Sequence, residues 1–87
     1  MSVIGGEITQ LHSLNGNFRR QSATVDTLLR ELRTELDNTY WRGGAADRFR
    51  AAWQSEYEPA LMRLSAALED AAQEVRRRTE ALEQVGG

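Results

Sequence analysis

Tyr40-Trp41-Arg42-Gly43-Gly44 is the stretch that decides the fold, because it is the strongest break between two long segments with helical periodicity. Two adjacent glycines accept the positive φ values that end a helix and reverse a chain. The tryptophan beside them supplies a large apolar side chain that can plug the turn. The sequence therefore predicts a turn at residues 41–43, extended by Gly44, with a helix on either side.

The segment before this turn, from Glu7 to about Tyr40, repeats apolar residues at intervals of three and four. At about 100° per residue they form one stripe roughly 120° wide, the pattern of a helix buried on one side. Gln21 and Ser22 interrupt the stripe and Gly16 lies within the helix, so we expect local looseness there. The packing residues expected in this helix are Leu14, Phe18, Val25, Leu28, Leu29, Leu32 and Leu36.

The segment after the turn, from Ala45 to about Gln84, predicts a second helix with a similar stripe. Pro59 is the one proline of the chain. Inside a helix, proline removes a hydrogen bond and clashes with the carbonyl four residues back, so we expect a bend near Ser55–Pro59 without a break. The packing residues expected here are Phe49, Trp53, Tyr57, Leu61, Leu64, Leu68 and Val75.

The predicted fold class is all-α: an antiparallel two-helix hairpin that forms a single domain over residues 1–87. A chain of 87 residues buries only a modest fraction of its surface and tends to depend on a partner. A hairpin also covers each apolar stripe from one side only. We therefore expect the remaining apolar edge to pair with a second chain, giving a four-helix bundle.

The composition argues against several classes of protein. There is no cysteine and a single histidine, His12, which we place on the polar face, so we expect neither a metal site nor a cofactor. No Ser/His/Asp or Cys/His set suggests catalysis, and we do not expect an enzyme. All 11 basic residues are arginine and the formal net charge is −2, which argues against a nucleic-acid surface. Carboxylates surround Arg76-Arg77-Arg78, which favours a solvated, ion-paired helix face.

Membrane and targeting signals are also missing from the sequence. No segment approaches a membrane span, so we expect no integral membrane segment. Residues 1–7 have neither the basic region nor the apolar run of a signal peptide. The sequence therefore predicts a protein that stays in the cytoplasm or leaves the cell without a cleaved leader.

The order of these features resembles the WXG (Trp-x-Gly) family of early secreted antigen-like proteins, which type VII secretion systems of actinobacteria and firmicutes export. The resemblance covers nearly the whole chain, with Trp41-Arg42-Gly43 between two helices of similar length. Phe49 follows the glycine by six residues and Trp53 follows by four more, as aromatics often do in that family. The lysine-free, arginine- and alanine-rich composition fits a high-GC actinobacterium.

This resemblance implies a non-enzymatic secreted protein that is exported as a folded helical dimer and has a type VII secretion ATPase as a partner. It also implies that Trp41 and Gly43 belong to the secretion signal. In the family this signal combines the Trp-x-Gly turn with a C-terminal Tyr-x-x-x-Asp/Glu of the partner chain. The present chain has tyrosines only at Tyr40 and Tyr57, so the tail half is missing. We expect a homodimer in isolation, or a heterodimer with another small Trp-x-Gly protein that carries the tail.

Two other functions compete with this interpretation. One is an intracellular helical adaptor or scaffold that acts through dimerisation only, in which Trp41 is a packing plug. The other is an arginine-rich helical protein that binds nucleic acid, which the near-neutral charge makes the weakest of the three.

Overall fold

The computed structural model of the chain describes residues 3–86, and helices cover 94% of them. Helix α1 spans Val3–Asn38, α2 spans Gly44–Ala52 and α3 spans Glu58–Gly86. A π-helical segment, Trp53–Tyr57, joins α2 to α3. Because α1 packs antiparallel along α3, the fold is the all-α hairpin that the sequence predicts. The predicted domain also includes residues 1, 2 and 87, which lie outside the described residues.

The hairpin has no second layer within the described residues. It measures 64 × 18 × 13 Å, and its smallest dimension is close to the diameter of one helix with its side chains. Each helix is therefore covered only by the other. The four-helix bundle with a second chain stays a prediction.

The first helix ends at Asn38, two residues earlier than expected, and begins at Val3, four residues before the predicted start. The Thr39 hydroxyl donates to the Glu35 carbonyl at 2.7 Å, and the Thr39 backbone N–H donates to the Leu36 carbonyl at 3.3 Å. These bonds occupy carbonyls that are left without partners in the last helical turn, so the chain can leave the helix there.

The second predicted helix is not one regular helix. The Glu58 N–H donates to the Trp53 carbonyl five residues back, which is the bond of a π-helix. Pro59 has no N–H, and in an α-helix its ring would crowd the carbonyl of Ser55. The widened turn directly precedes this proline and relieves that clash. The sequence located the irregularity at Ser55–Pro59 correctly, but its form is a π-helical turn that begins at Trp53.

The contact between α1 and α3 buries small and polar side chains together with one valine and one leucine. We call the buried residues of this contact the seam: Ser22, Val25, Leu29, Ser65, Ala72 and Thr79.

Hydrogen bonds cross the seam near its centre. The hydroxyl of Ser22 donates to the Ser65 carbonyl at 3.0 Å, and the hydroxyl of Ser65 donates to the Asp26 carboxylate at 2.6 Å. Nearer the open end of the hairpin, the Asn15 amide donates to the Ala72 carbonyl at 2.6 Å. The expected looseness around Ser22 is therefore wrong, since Ser22 is 1% exposed and fully bonded. A serine that seemed to interrupt the stripe lies at its most buried point.

Several residues expected to form the core are not in the core of this chain. Only Val25 and Leu29 of the expected set are buried, at 9% and 6% exposed. The half-buried members are Phe18, Leu32, Leu36, Trp53, Leu61, Leu68 and Val75. The remaining five, which are 40–49% exposed and which we call the apolar face, are Leu14, Leu28, Phe49, Tyr57 and Leu64.

The exposed leucines lie on one side of the hairpin. Leu28 directly precedes Leu29 of the seam, and Leu64 directly precedes Ser65. Antiparallel helices turn in opposite senses when viewed from one end, so the same offset on both helices points both leucines to the same side. The apolar stripe of each helix is therefore wider than the seam. The apolar residues that the seam does not cover lie on the same side of the hairpin in both helices.

Candidate functional site: the tip of the hairpin

We call residues 39–57 the tip of the hairpin. One glycine determines the path of the backbone there. Gly43 has φ 110° and ψ 179°, a backbone region that is essentially restricted to glycine. Its carbonyl accepts the Asp47 N–H at 3.0 Å and so begins helix α2. Gly44, expected in the turn, is instead the first residue of α2, and Gly43 alone among the described residues has a positive φ.

The guanidinium of Arg50 holds the backbone of the tip. One terminal nitrogen donates to the Trp41 carbonyl at 2.8 Å, and the other donates to the Thr39 carbonyl at 3.2 Å. Hydrogen bonds from a charged donor are stronger than those between neutral groups, and the planar guanidinium can direct two of them at once. Arg50 therefore fastens the segment that follows α1 onto the side of α2.

The aromatic rings of the tip form a ladder on its partly exposed side. The centroid of the Trp41 ring lies 5.6 Å from that of Phe49 with the planes tilted by 47°. The Phe49 ring lies 6.2 Å from that of Tyr57, tilted by 34°. Such tilted pairs at this distance are attractive beyond the area that they bury. Trp41 nevertheless stays 40% exposed, so part of this residue is accessible for contact with another molecule.

Trp53 plays a different part from Trp41. Its indole N–H donates to Glu58 at 2.9 Å, and Arg33 of α1 grips the same carboxylate with two hydrogen bonds of 3.0 and 2.8 Å. The hydrogen bonds from Arg33 lower the pKa of Glu58, partial burial opposes them, and the charge of Arg33 and the Trp53 bond lower it further. The same contact raises the pKa of Arg33. This network ties α1 to the π-helical turn.

An open groove runs between the end of α1 and the aromatic residues of the tip. Its apolar lining comes mostly from two leucines of α1 and two rings across from them, with Glu35 and Thr39 at its edge. The lining residues are Leu32, Leu36, Phe49 and Trp53. The groove joins the tip to the apolar face, so the exposed apolar surface continues from one to the other.

The remaining residues singled out in the sequence lie on polar surfaces. His12 is exposed, and its Nε2 lies 2.9 Å from Glu83, a contact that the sequence did not predict. Arg76 pairs with Glu80 at 3.2 Å and Arg78 pairs with Glu74 at 3.3 Å, which confirms the ion-paired face.

Residues 3–86 offer neither a metal-binding cluster nor a membrane-spanning helix. No three His, Cys, Asp or Glu side chains in this range are grouped so that they could hold a metal ion. No helix in the range combines the length and the apolar composition that a membrane crossing requires.

Sequence reasoning missed Arg50 and the Glu58 network. Arg50 is one of two arginines in α2, and nothing in its spacing distinguishes it from its exposed neighbour Arg48. Its two acceptors are backbone carbonyls, which leave no signature in a sequence. The pairing of Arg33 with Glu58 depends on the register of the two helices, which one-dimensional periodicity does not give.

The features of the tip described above are therefore those of a contact surface and not those of a reactive site. Its distinguishing feature is a partly exposed indole that is fixed by its own backbone and by a neighbouring ring. Such a group is suited to recognition by another protein, since tryptophan is enriched among the residues that dominate binding energy at interfaces.

Comparison with known proteins gives one match. The family model WXG100, described as proteins of 100 residues with WXG, matches residues 6–86. Searches of curated proteins and of solved structures found no match.

Proposed function

The chain belongs to the WXG100 family, and on that premise we propose that it is a non-enzymatic substrate or partner protein of a type VII secretion system. In this proposal the chain leaves the cell as a folded helical dimer without a cleaved leader. Trp41 and Gly43 form part of the signal that the secretion ATPase recognises. The family assignment supports the class of function, and the geometry of the tip supports the role of these two residues.

The observation that carries the proposal is the partial exposure of a fixed Trp41. The ring is 40% exposed although it lies against Phe49, and its carbonyl is bound by Arg50. Trp41 lies outside α1 and α3 and is not among the buried residues of the chain. A large aromatic side chain that is fixed in position and partly exposed is suited to recognition by another molecule.

The proposed partner is a second small Trp-x-Gly protein. The apolar face leaves leucines on both helices uncovered on one side, where a second hairpin would complete a four-helix bundle. In this proposal the second chain supplies the Tyr-x-x-x-Asp/Glu tail. We propose a heterodimer for export and a homodimer when the chain is produced alone.

The competing function is an intracellular scaffold, and the contact between Trp41 and Phe49 favours it. If that contact served only to seal the tip, Trp41 would be a packing residue and export would not depend on it. The two functions differ in what a change at Trp41 does to the stability of the protein.

The test replaces Trp41 by arginine and uses the neighbouring aromatic as its control. Trp41→Arg should abolish export by a host that carries the secretion system, while helicity by circular dichroism and the mass of the dimer stay nearly unchanged. Tyr40→Arg introduces the same charge one residue away, at a ring that is 87% exposed, and should be exported normally.

The scaffold function wins if Trp41→Arg unfolds the protein as thoroughly as Leu29→Ala, which empties a site that is 6% exposed. Normal export of a folded Trp41→Arg variant would also reject the proposed signal.

A further inference from the structure

We propose that Arg50 is a positioning residue for recognition of Trp41, an inference that rests on the proposed function of the tip. Arg50 binds the backbone of the tip through two carbonyls. Its guanidinium donates to the Trp41 and Thr39 carbonyls at 2.8 and 3.2 Å. It acts by holding the segment that carries the indole in one place.

The geometry gives Arg50 this role because Trp41 has two attachments, and both come from adjacent residues of α2. The ring leans on Phe49 at 5.6 Å, and the carbonyl is bound by Arg50. Residues 39–43 lie outside the helices, and within the described residues Tyr40, Trp41 and Arg42 make no backbone–backbone hydrogen bond. Two points of contact with one helical turn fix both the backbone and the ring, whereas the ring contact alone would leave the backbone free to rotate.

The chemistry of the side chain suits this task. Carbonyls two residues apart in an irregular segment need a donor that reaches both, and the planar guanidinium offers paired N–H groups in a fixed arrangement. Lysine would bring the charge as a single flexible point.

Fixing the tip in advance should strengthen recognition. A partner that binds an ordered indole does not have to order residues 39–43 first, and removing that ordering step raises affinity. The hydrogen bonds from Arg50 to the two carbonyls are charge-assisted. The loss of such a bond changes an equilibrium constant by about ten-fold or more.

The matched variants are Arg50→Gln and Arg48→Gln. Both remove one positive charge from α2, but Arg48 is exposed and makes no hydrogen bond or ion pair with the described residues. Arg50→Lys keeps the charge and loses the paired donors. The indole N–H signals of Trp41 and Trp53 are resolved by ¹⁵N NMR of the full chain and assigned with Trp41→Phe, and export is measured in parallel.

Arg50→Gln should lower export by about ten-fold and lower the heteronuclear NOE of the Trp41 indole, while the Trp53 signal, helicity and dimer mass stay as in the parent chain. Arg50→Lys should show the same loss of indole order, and Arg48→Gln should show none. An unchanged Trp41 NOE in both Arg50 variants overturns the positioning role.

Export separates this inference from the function on which it rests. If Trp41→Arg is exported normally, the proposed signal fails whatever the NMR shows. If Trp41→Arg blocks export but Arg50→Gln and Arg50→Lys are exported like the parent chain, the signal stands and the role of Arg50 in recognition is wrong.

Discussion

Small and polar side chains are buried between α1 and α3, whereas at the tip large aromatic rings stand partly in solvent. In the seam, Ser22 and Ser65 meet at the centre and Ala72 lets the helices approach. At the tip, the guanidinium of Arg50 binds carbonyls while Trp41 stays 40% exposed. In both regions small or polar groups make an important part of the contacts that hold the chain together. The five large side chains of the apolar face are left 40–49% exposed, which is the arrangement expected of a chain whose apolar surface is completed by another.

The largest effect should come from enlarging a small residue of the seam. Ala72 is 1% exposed, so Ala72→Leu forces α1 and α3 apart and should lower the free energy of unfolding by about 3 kcal/mol. Ala67→Leu makes the same change at an exposed position of α3 and should stay within about 0.5 kcal/mol of the parent chain. Urea denaturation measures both. Equal stability of the two variants would contradict the close approach at Ala72.

The next effect tests the backbone of the tip. Gly43→Ala should lower stability by about 2 kcal/mol, because φ 110° with ψ 179° is strained for any residue with a Cβ. Nothing lies within 4 Å of the added Cβ, so the loss comes from the backbone and not from a clash. Gly6→Ala also adds a methyl group in open space, but within a helix, and should stabilise by about 1 kcal/mol. The two substitutions should therefore shift the melting temperature in opposite directions.

A smaller effect is expected from the hydroxyls at the centre of the seam. Ser65→Ala leaves the Asp26 carboxylate without its donor at 2.6 Å and should cost about 1 kcal/mol. Ser13→Ala is the control, since Ser13 is exposed in α1 and alanine is the better helix former. Thermal unfolding compares the two. If Ser65→Ala were as stable as Ser13→Ala, the hydroxyl network would contribute nothing to the fastening of the helices.

The smallest effect concerns pH. The pKa of Glu58 is lowered from its ordinary value of 4.5 in the folded chain, chiefly by the hydrogen bonds from Arg33. The contact therefore contributes its full stability above pH 4.5 and loses it as the pH falls through the lower folded pKa. The melting temperature of the parent chain should exceed that of Glu58→Gln near neutral pH, and the gap should close in acid.

Glu56→Gln controls for the removal of a carboxylate, because Glu56 is exposed in the same π-helical segment and has no ion pair or hydrogen bond with the described residues. It should show no such pH-dependent gap. A gap that persists unchanged into acid would mean that Glu58 and Arg33 do not form the pair in solution.

Much of the fold could be predicted because it depends on local features of the sequence. The two stripes predict the helices, the paired glycines place the turn, and Pro59 marks the irregular segment. Ser22 was misjudged because periodicity counts apolar residues, and a hydroxyl whose partner is another hydroxyl 43 positions away has no local signature. An uncovered apolar edge was predicted, but not which of the expected packing residues form it. A stripe roughly 120° wide does not tell which part of it meets the other helix.

The tip could be located from the sequence but not explained by it. Trp41 and Gly43 were singled out, and Gly43 does adopt the positive φ that the turn needs. The hold of Arg50 on Trp41 and Thr39 could not be predicted, since it depends on how residues 39–43 fold back over α2. The pairing of a side chain with backbone carbonyls is set by three-dimensional geometry alone.

The most direct test of the central claim compares two neighbouring residues of α3. Leu64 and Met62 are 47% and 52% exposed, but two residues along a helix is a turn of about 200°, so they lie on opposite sides of the hairpin. Leu64 belongs to the apolar face, whereas Met62 lies beside Asp26, Arg30 and Arg33. Sedimentation equilibrium measures the dissociation constant of the dimer for Leu64→Ser and for Met62→Ser.

If the apolar face is covered by a second chain, Leu64→Ser should weaken the dimer by at least about ten-fold, because the leucine is lost from both copies of the interface. Met62→Ser should leave the dissociation constant unchanged. Equal effects of the two variants, or a parent chain that stays monomeric at every concentration, would contradict the claim that the outward-facing leucines of the hairpin are its docking surface.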